Sequence, residues 1–287
     1  MTCAKRAEMT PGIIALLNAG ARPDTESSKR KTTALICAAT NGVDVNVAAL
    51  VAGGADGDYE TVEGVTALVA AVKNNHASVV SMLIDKGANV NKEDTVKGIT
   101  PLKTAVEDDN VAMVELLIHR GAAVDAVNRN GTTRLQNAAR LGHVASMEML
   151  LKHSAVVDFE SPHARTALMS AAVGGQVAAI DVLVKHKARV DLESASNDTA
   201  LVLAAESGNT TSVTSLVKAG AKIDLETRDS RTALSVAAAA GQVECVAELL
   251  TQCAYVDYEN KLGQTAMMAA ITAGQETTTA ELSLIHI

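Results

Sequence analysis

The tripeptide Thr-x-Leu, or Thr-x-Met in the last copy, falls at Thr33, Thr66, Thr100, Thr133, Thr166, Thr199, Thr232 and Thr265 of a 287-residue chain. Successive intervals are 33, 34, 33, 33, 33, 33 and 33 residues. A period this regular restricts the chain to an array in which each unit is one supersecondary element stacked on its neighbours. Other markers keep the same phase. Paired alanines recur at Ala38-Ala39, Ala138-Ala139, Ala171-Ala172, Ala204-Ala205 and Ala237-Ala238. Nine residues after the threonine stands Gly42, Gly142, Gly175, Gly208, Gly241 or Gly274, with Asn75 and Asp109 in the other two copies. Each unit closes on an apolar residue and Asp or Asn: Val90-Asn91, Val124-Asp125, Val157-Asp158, Val190-Asp191, Ile223-Asp224 and Val256-Asp257.

Each marker has a physical reason. A threonine before a helical pattern caps the first free amides. Alanines on the next turns let a neighbouring helix approach closely, and Gly, Asn or Asp after them reaches a left-handed turn most cheaply. The second helix carries apolar residues at helical spacing, as at Val144, Met147, Leu150 and Leu151. The polar stretch that follows, for example Asn128-Arg129-Asn130-Gly131, has turn chemistry. Composition agrees: 48% of residues are hydrophobic but only 1% aromatic, namely Tyr59, Phe159, Tyr255 and Tyr258. A core of Ala, Val, Leu, Ile and Met suits thin helical layers over one thick globule.

A helix–turn–helix–hairpin unit of this length resembles the ankyrin repeat, most closely in Gly98-Ile99-Thr100-Pro101-Leu102 and Gly87-Ala88-Asn89-Val90-Asn91. The resemblance runs over residues 11 to 281 and implies an all-α fold, an ankyrin-repeat solenoid whose units are joined by β-hairpin-like loops. There are departures. The histidine that usually follows the family's leucine is replaced in every copy, by Ile36, Val69, Lys103, Gln136, Met169, Val202, Ser235 and Met268, which shifts the expected stability from hydrogen bonds between repeats to apolar packing. Ser154, Lys187 and Cys253 stand where glycine closes the second helix, so strained or reshaped turns are expected there. The single 34-residue interval places one extra residue in the loop Lys92 to Lys97, a change that loop tips tolerate.

The expected organisation is a partial or degenerate N-terminal repeat over 1–25, an array of about eight repeats over 26–281 with the last incomplete, and a tail over 282–287. The front half of the first unit is either a cap or the consequence of an internal methionine taken as the start. Leu282-Ser283-Leu284-Ile285-His286-Ile287 is similar to the translation of a sequencing adapter, so this tail is expected to be non-native and the chain to be a fragment.

No phosphate-loop, nucleophile-elbow, zincin or dinucleotide pattern is present. The Gly53–Asp58 segment has the phase of the repeat-closing turn. His76 and His143 share one phase two repeats apart, and His153 and His186 another one repeat apart, about 10 Å by helix packing, too far for either pair to share a metal. Asp108-Asp109 lies at a helix end, and Lys29-Arg30-Lys31 at a loop tip. The cysteines Cys3, Cys37, Cys245 and Cys253 lack metal or disulfide spacing and are expected to be reduced thiols. No catalysis, cofactor or metal is expected. The balance of 25 basic and 33 acidic residues, net −8, argues against a general grip on nucleic acid, and no apolar run is long enough to span a membrane.

The resemblance implies an interaction scaffold or adaptor, monomeric and cytoplasmic or nuclear, that holds a protein partner on a concave surface of hairpins and first helices. The alternative is a regulatory or targeting array of a larger enzyme, ubiquitin-ligase adaptor or channel, and a third reading is a spring-like spacer. Residues that vary between repeats at matching phases are the expected contacts. In the hairpins these are Arg129, Asn130, Thr132, His163, Arg165, Asp198, Arg228, Asp229 and Arg231; on the first helices, Lys73, Asn74, Glu107, Asp108, Arg140, Leu141 and Glu206. Tyr59, Phe159, Leu192, Leu225 and Tyr258 follow the closing acid, where the family usually has alanine. They form either an apolar ledge for a partner or packing between neighbouring hairpins.

Overall fold

Every Thr-x-Leu opens a helix. The computed structural model describes residues 10–29, 31–128, 131–160 and 165–284, and among them are seventeen helices and no strand. All eight repeat threonines have extended backbone, and each accepts the amide three residues on at 3.2–3.4 Å. One of the donors left free at the helix start is thereby satisfied.

The chain divides into two compact units, residues 1–124 and 125–287. In the first lie α1 (Thr10–Asn18), α2 (Ala34–Thr40), α3 (Asp44–Ala52), α4 (Ala67–Lys73), α5 (Ala77–Asp85), α6 (Pro101–Glu107) and α7 (Val111–His119). The second holds α8 (Arg134–Leu141), α9 (Val144–Lys152), α10 (Ala167–Val173), α11 (Val177–Lys185), α12 (Ala200–Glu206), α13 (Thr210–Lys218), α14 (Ala233–Ala239), α15 (Val243–Thr251), α16 (Ala266–Thr272) and α17 (Glu276–Leu284). Within each unit the short first helices pack on first helices, the nine-residue second helices lie along second helices, and each pair packs on itself.

The alanine pairs are the contact that allows this: Ala38, Ala39, Ala171, Ala172, Ala204, Ala205, Ala237 and Ala238 are fully buried. On the second helices one leucine per repeat fills the core. These are Leu50, Leu83 and Leu117 in the first unit and Leu150, Leu183, Leu216, Leu249 and Leu282 in the second, all buried. The hexapeptide set apart in the sequence thus begins inside α17, with Leu282 in the phase of Leu249; residues 285–287 lie outside the described part.

After every first helix the chain turns through the left-handed region, with φ from 47° at Asp109 to 77° at Gly142. The end of each second helix does the same, and here Ser154, Lys187 and Cys253 keep the left-handed turn with φ of 66°, 69° and 69°. Strain, and not reshaping, is the outcome of losing glycine at these three positions. The loops between repeats are closed by a backbone bond across the tip, such as Thr61 N–H to Val65 O at 3.1 Å or Thr227 N–H to Arg231 O at 2.9 Å, too few to make a strand ladder.

Repeats are also tied through their loops. The carboxylate or amide oxygen of seven closing residues accepts a backbone amide 31 or 32 residues on. In the first unit Asp24 takes Asp56 N–H (3.1 Å), Asp58 takes Asn89 N–H (2.8 Å) and Asn91 takes Ala123 N–H (2.8 Å). In the second, Asp125, Asp158, Asp191 and Asp224 take the amides of Val156, Arg189, Lys222 and Tyr255 at 3.0–3.2 Å. Loss of the family histidine therefore does not leave apolar packing alone to join the repeats. One replacement, Gln136, itself bridges repeats: its side-chain amide donates to the carbonyls of Phe159 (3.0 Å) and Arg165.

A left-handed non-glycine residue costs on the order of 1–3 kcal/mol, partly offset by the smaller freedom it loses on folding. Lys187→Gly is accordingly expected to raise the urea midpoint by the equivalent of about 1 kcal/mol. Gly220→Ala in the same phase should lower it by a similar amount, because a Cβ there meets nothing within 4 Å and the loss is conformational. An unchanged midpoint in both variants would show that the turn carries no strain.

Candidate protein-interaction face

In the first unit four of the expected contact residues come together. Lys73 and Asn74 at the end of α4, and Glu107 and Asp108 at the end of α6, are exposed and line one cleft of about 490 Å³. Its other wall is made by the loops that carry Glu63, Gly64 and Val65, and Asp94, Lys97 and Ile99. The extra residue of the 34-residue interval is absorbed in this wall. Asp94 is buried, and its carboxylate accepts the amides of Val96 (2.9 Å), Lys97 (2.5 Å) and Ile99 (2.6 Å), so three amides of the longer loop are satisfied by one side chain.

In the second unit the expected residues separate into two groups. Arg140, Arg165, Glu206, Arg228 and Asp229 are exposed, Thr132, Leu141 and Arg231 are half-buried, and Asp198 is 8% exposed. Arg129, Asn130 and His163 lie outside the described residues. Arg231 binds two acids at once, Asp198 through Nη1 at 2.6 Å and Glu206 through Nη2 at 2.8 Å. Asn197 donates to Asp229 at 2.9 Å, and Arg228 pairs with Glu193 at 3.5 Å. Burial pushes the Asp198 carboxyl above its ordinary value, opposed by the Arg231 charge and assisted by Glu206. Three of the residues expected to meet a partner are thus held in a network that joins two repeats.

The slot after the closing acid is partly covered. Tyr59, Phe159, Leu192, Leu225 and Tyr258 are all half-buried. Tyr258 O–H donates to Glu226 Oε2 of the preceding repeat at 3.0 Å. Among the exposed apolar side chains, Val62, Val96 and Leu262 stand on loop tips.

A second carboxylate series escaped the sequence reading. Glu26, Glu60, Glu193 and Glu226, two residues after the closing acid, accept the amides of Val62 (3.4 Å), Thr95 (2.6 Å), Arg228 (2.6 Å) and Lys261 (3.1 Å), and Glu160 accepts that of Ala195. The signal was present, since Glu recurs in this phase at Glu26, Glu60, Glu93, Glu160, Glu193, Glu226 and Glu259.

Capped helix pairs at a 33-residue period, tied by loop carboxylates and bearing a face of varied side chains, define a stacked-repeat protein. The chain belongs to the ankyrin repeat family: the family model described as ankyrin repeats (3 copies) matches residues 1–94, 91–161, 155–227 and 201–283. Among solved structures it is similar to the human ASB11 ankyrin repeat domain, at 26% identity and a TM-score of 0.65, over 76% of this chain and 96% of that one. No curated protein matches. Ankyrin repeats are generally protein–protein interaction modules, and their fold is not a catalytic one. No helix among the described residues is long and apolar enough to cross a membrane.

Glu226 supplies a pH test of the loop contacts. Its carboxyl is held below the ordinary value of 4.5, first by the Lys261 amide and, against an opposing effect of burial, by the Tyr258 hydroxyl. A depressed carboxyl adds stability above its unfolded pKa and loses it as pH falls through the folded one. Tyr258→Phe removes one donor, so the Glu226 titration should move upward. The stability gap from wild type should be widest at neutral pH and close in acid. Carboxyl-carbon NMR and urea melts at several pH values measure both, and a gap independent of pH would mean that the hydroxyl does not act through Glu226.

Proposed function

We propose that the chain is an interaction scaffold or adaptor that holds a protein partner on the face built by its hairpin loops and first helices, without catalysis and without a cofactor. The observation that carries this reading is the cleft of about 490 Å³ in the first unit, where Lys73, Asn74, Glu107 and Asp108 meet. Elsewhere in the repeat the phases are fixed by caps, turns and core leucines, but on this face side chains change in size and sign from one repeat to the next. Charges in such a position mainly set association rate and partner choice. A net charge of −8 favours a protein over a nucleic acid, and a cytoplasmic or nuclear setting agrees with cysteines that have no mutual pairing pattern.

A second reading, a regulatory or targeting array serving a larger protein, is favoured by the likeness to the human ASB11 array, which is described as a domain. The complete reading frame separates the two.

Photo-crosslinking residues placed one at a time at Lys73, Arg140 and Asp229, and on the second helices at Lys152, Ala178 and Ala247, test the face directly. Discrete adducts from the first three positions and none from the second three are expected in cell extract. Adducts confined to the second helices would refute the assignment of the face.

A further inference from the structure

The binding face of the first unit carries apolar side chains that its fold does not use. Val62 and Val96 hold the same phase on adjacent loop tips, four residues before Thr66 and Thr100, and are 68% and 51% exposed. Their loops close without them, through Thr61 N–H to Val65 O and Asp94 N–H to Ile99 O. Each valine is followed by a charged residue of the cleft wall, Glu63 or Lys97. Gly64 holds the tips close together: at φ 80°, a Cβ added to it would stand 2.8 Å from Asp94 Oδ1 and 3.1 Å from Val96 Cβ.

The cleft between the tips and the helix ends has a floor of Val65, Val69, Ala70 and Ile99. Its volume of about 490 Å³ lies within the ~300–1,000 Å³ usual for a binding cleft. Four lining acids, Glu63, Asp94, Glu107 and Asp108, outnumber the two bases, Lys73 and Lys97, which leaves 2 − 4 = −2. Asp94 is buried on loop amides, so the acids that face solvent are Glu63, Asp108 and Glu107, the last also 3.9 Å from Lys103 one turn back.

We propose that this cleft docks a short protein segment that is apolar on one side and basic on the other. The proposal rests on the reading that this face holds a protein partner. Apolar side chains of the segment lie on Val62, Val96 and the cleft floor, where they bury surface that is otherwise wet. Its Lys or Arg side chains meet Glu107 and Asp108 at the end of α6, and an arginine gains most because its planar fork pairs with a carboxylate through two bonds. Opposite charge sets orientation and association rate, and the valines set residence time.

Fluorescein-labelled peptides of about twelve residues, built from Leu and Lys, test this by anisotropy against matched Leu/Glu and Ser/Lys peptides. The Leu/Lys peptide should bind at least about tenfold more tightly than either match. Its Kd should rise about tenfold or more in Val62→Ser/Val96→Ser and in Glu107→Lys/Asp108→Lys, and should rise with added salt. Glu148→Lys/Glu244→Lys, on the second helices α9 and α15, makes the same change in net charge and should alter the Kd less than about twofold. All six side chains are exposed, and circular dichroism melts confirm that each variant is folded. Equal weakening by the Glu148/Glu244 pair, unchanged binding in the valine pair, or no preference for Leu/Lys overturns the proposal. Failure of the peptides alongside crosslinks at Arg140 and Asp229 overturns this inference alone; failure of every crosslink on the face overturns the broader reading as well.

Discussion

Helices of seven to nine residues are too short to persist in water by themselves, and one such pair has a single apolar face with nothing inside the repeat to cover it. Burial against the next repeat is therefore the condition on which everything else in each unit depends. It explains why the fixed phases are the ones that touch a neighbour: the alanine pairs, the leucine of each second helix and the closing acid. Met268 and Ile271 on α16 show the rule from the other side. They are 50% and 60% exposed, although Met169 and Ala238 in the same phases are buried. What covers those phases elsewhere is the first helix of the following repeat.

The loops repeat this dependence in polar form. A backbone amide at a turn needs an acceptor, and the closing acid of the previous repeat supplies it at a fixed separation of 31 or 32 residues. A second series from the following glutamates adds a bond 35 or 36 residues on. These bonds are directional and, apart from that to Asn91, charge-assisted, so they fix how one loop stands on the next. The loop tips and first-helix ends can then vary in side chain without disturbing the frame, and that is where the proposed face for a partner lies. The network of Asp198, Arg231 and Glu206 marks a limit on this freedom, since charges on the same face are drawn into holding two repeats together.

Most of the frame was legible in the sequence because its markers recur. Eight threonines in one phase imply eight caps, and Asn75 and Asp109 in a glycine phase imply left-handed turns. The carboxylate series were not found, although equally periodic, because an acid in a polar loop has the same composition whether it is solvated or bound to an amide 31 residues away. Phase also fails to specify exposure. Tyr59, Phe159 and Tyr258 share a slot that suits either a ledge or packing between hairpins, and all three are half-buried. Val62 and Val96, single apolar residues at loop tips, gave no signal because isolated exposed apolar residues are ordinary. Only their placement beside one cleft gives them meaning. The exposure of Lys73, Asn74, Glu107 and Asp108 was legible for the converse reason: variation at a phase where neighbours are otherwise fixed points outward, away from the next repeat.

The three turns that lost glycine show which effect wins when local preference and stacking disagree. Ser154, Lys187 and Cys253 would each relax to negative φ if the turn were free. In the structure they do not, because the next residue in each case, Ala155, Ala188 or Ala254, is buried against its neighbours, and the amide of that alanine returns to the second helix at 2.9–3.0 Å. Relaxing the turn would expose the alanine, break that bond and move the closing acid away from the amide it caps. A strain of about 1–3 kcal/mol is smaller than the loss of those contacts together, so the repeat geometry imposes the conformation on whatever residue occupies the position.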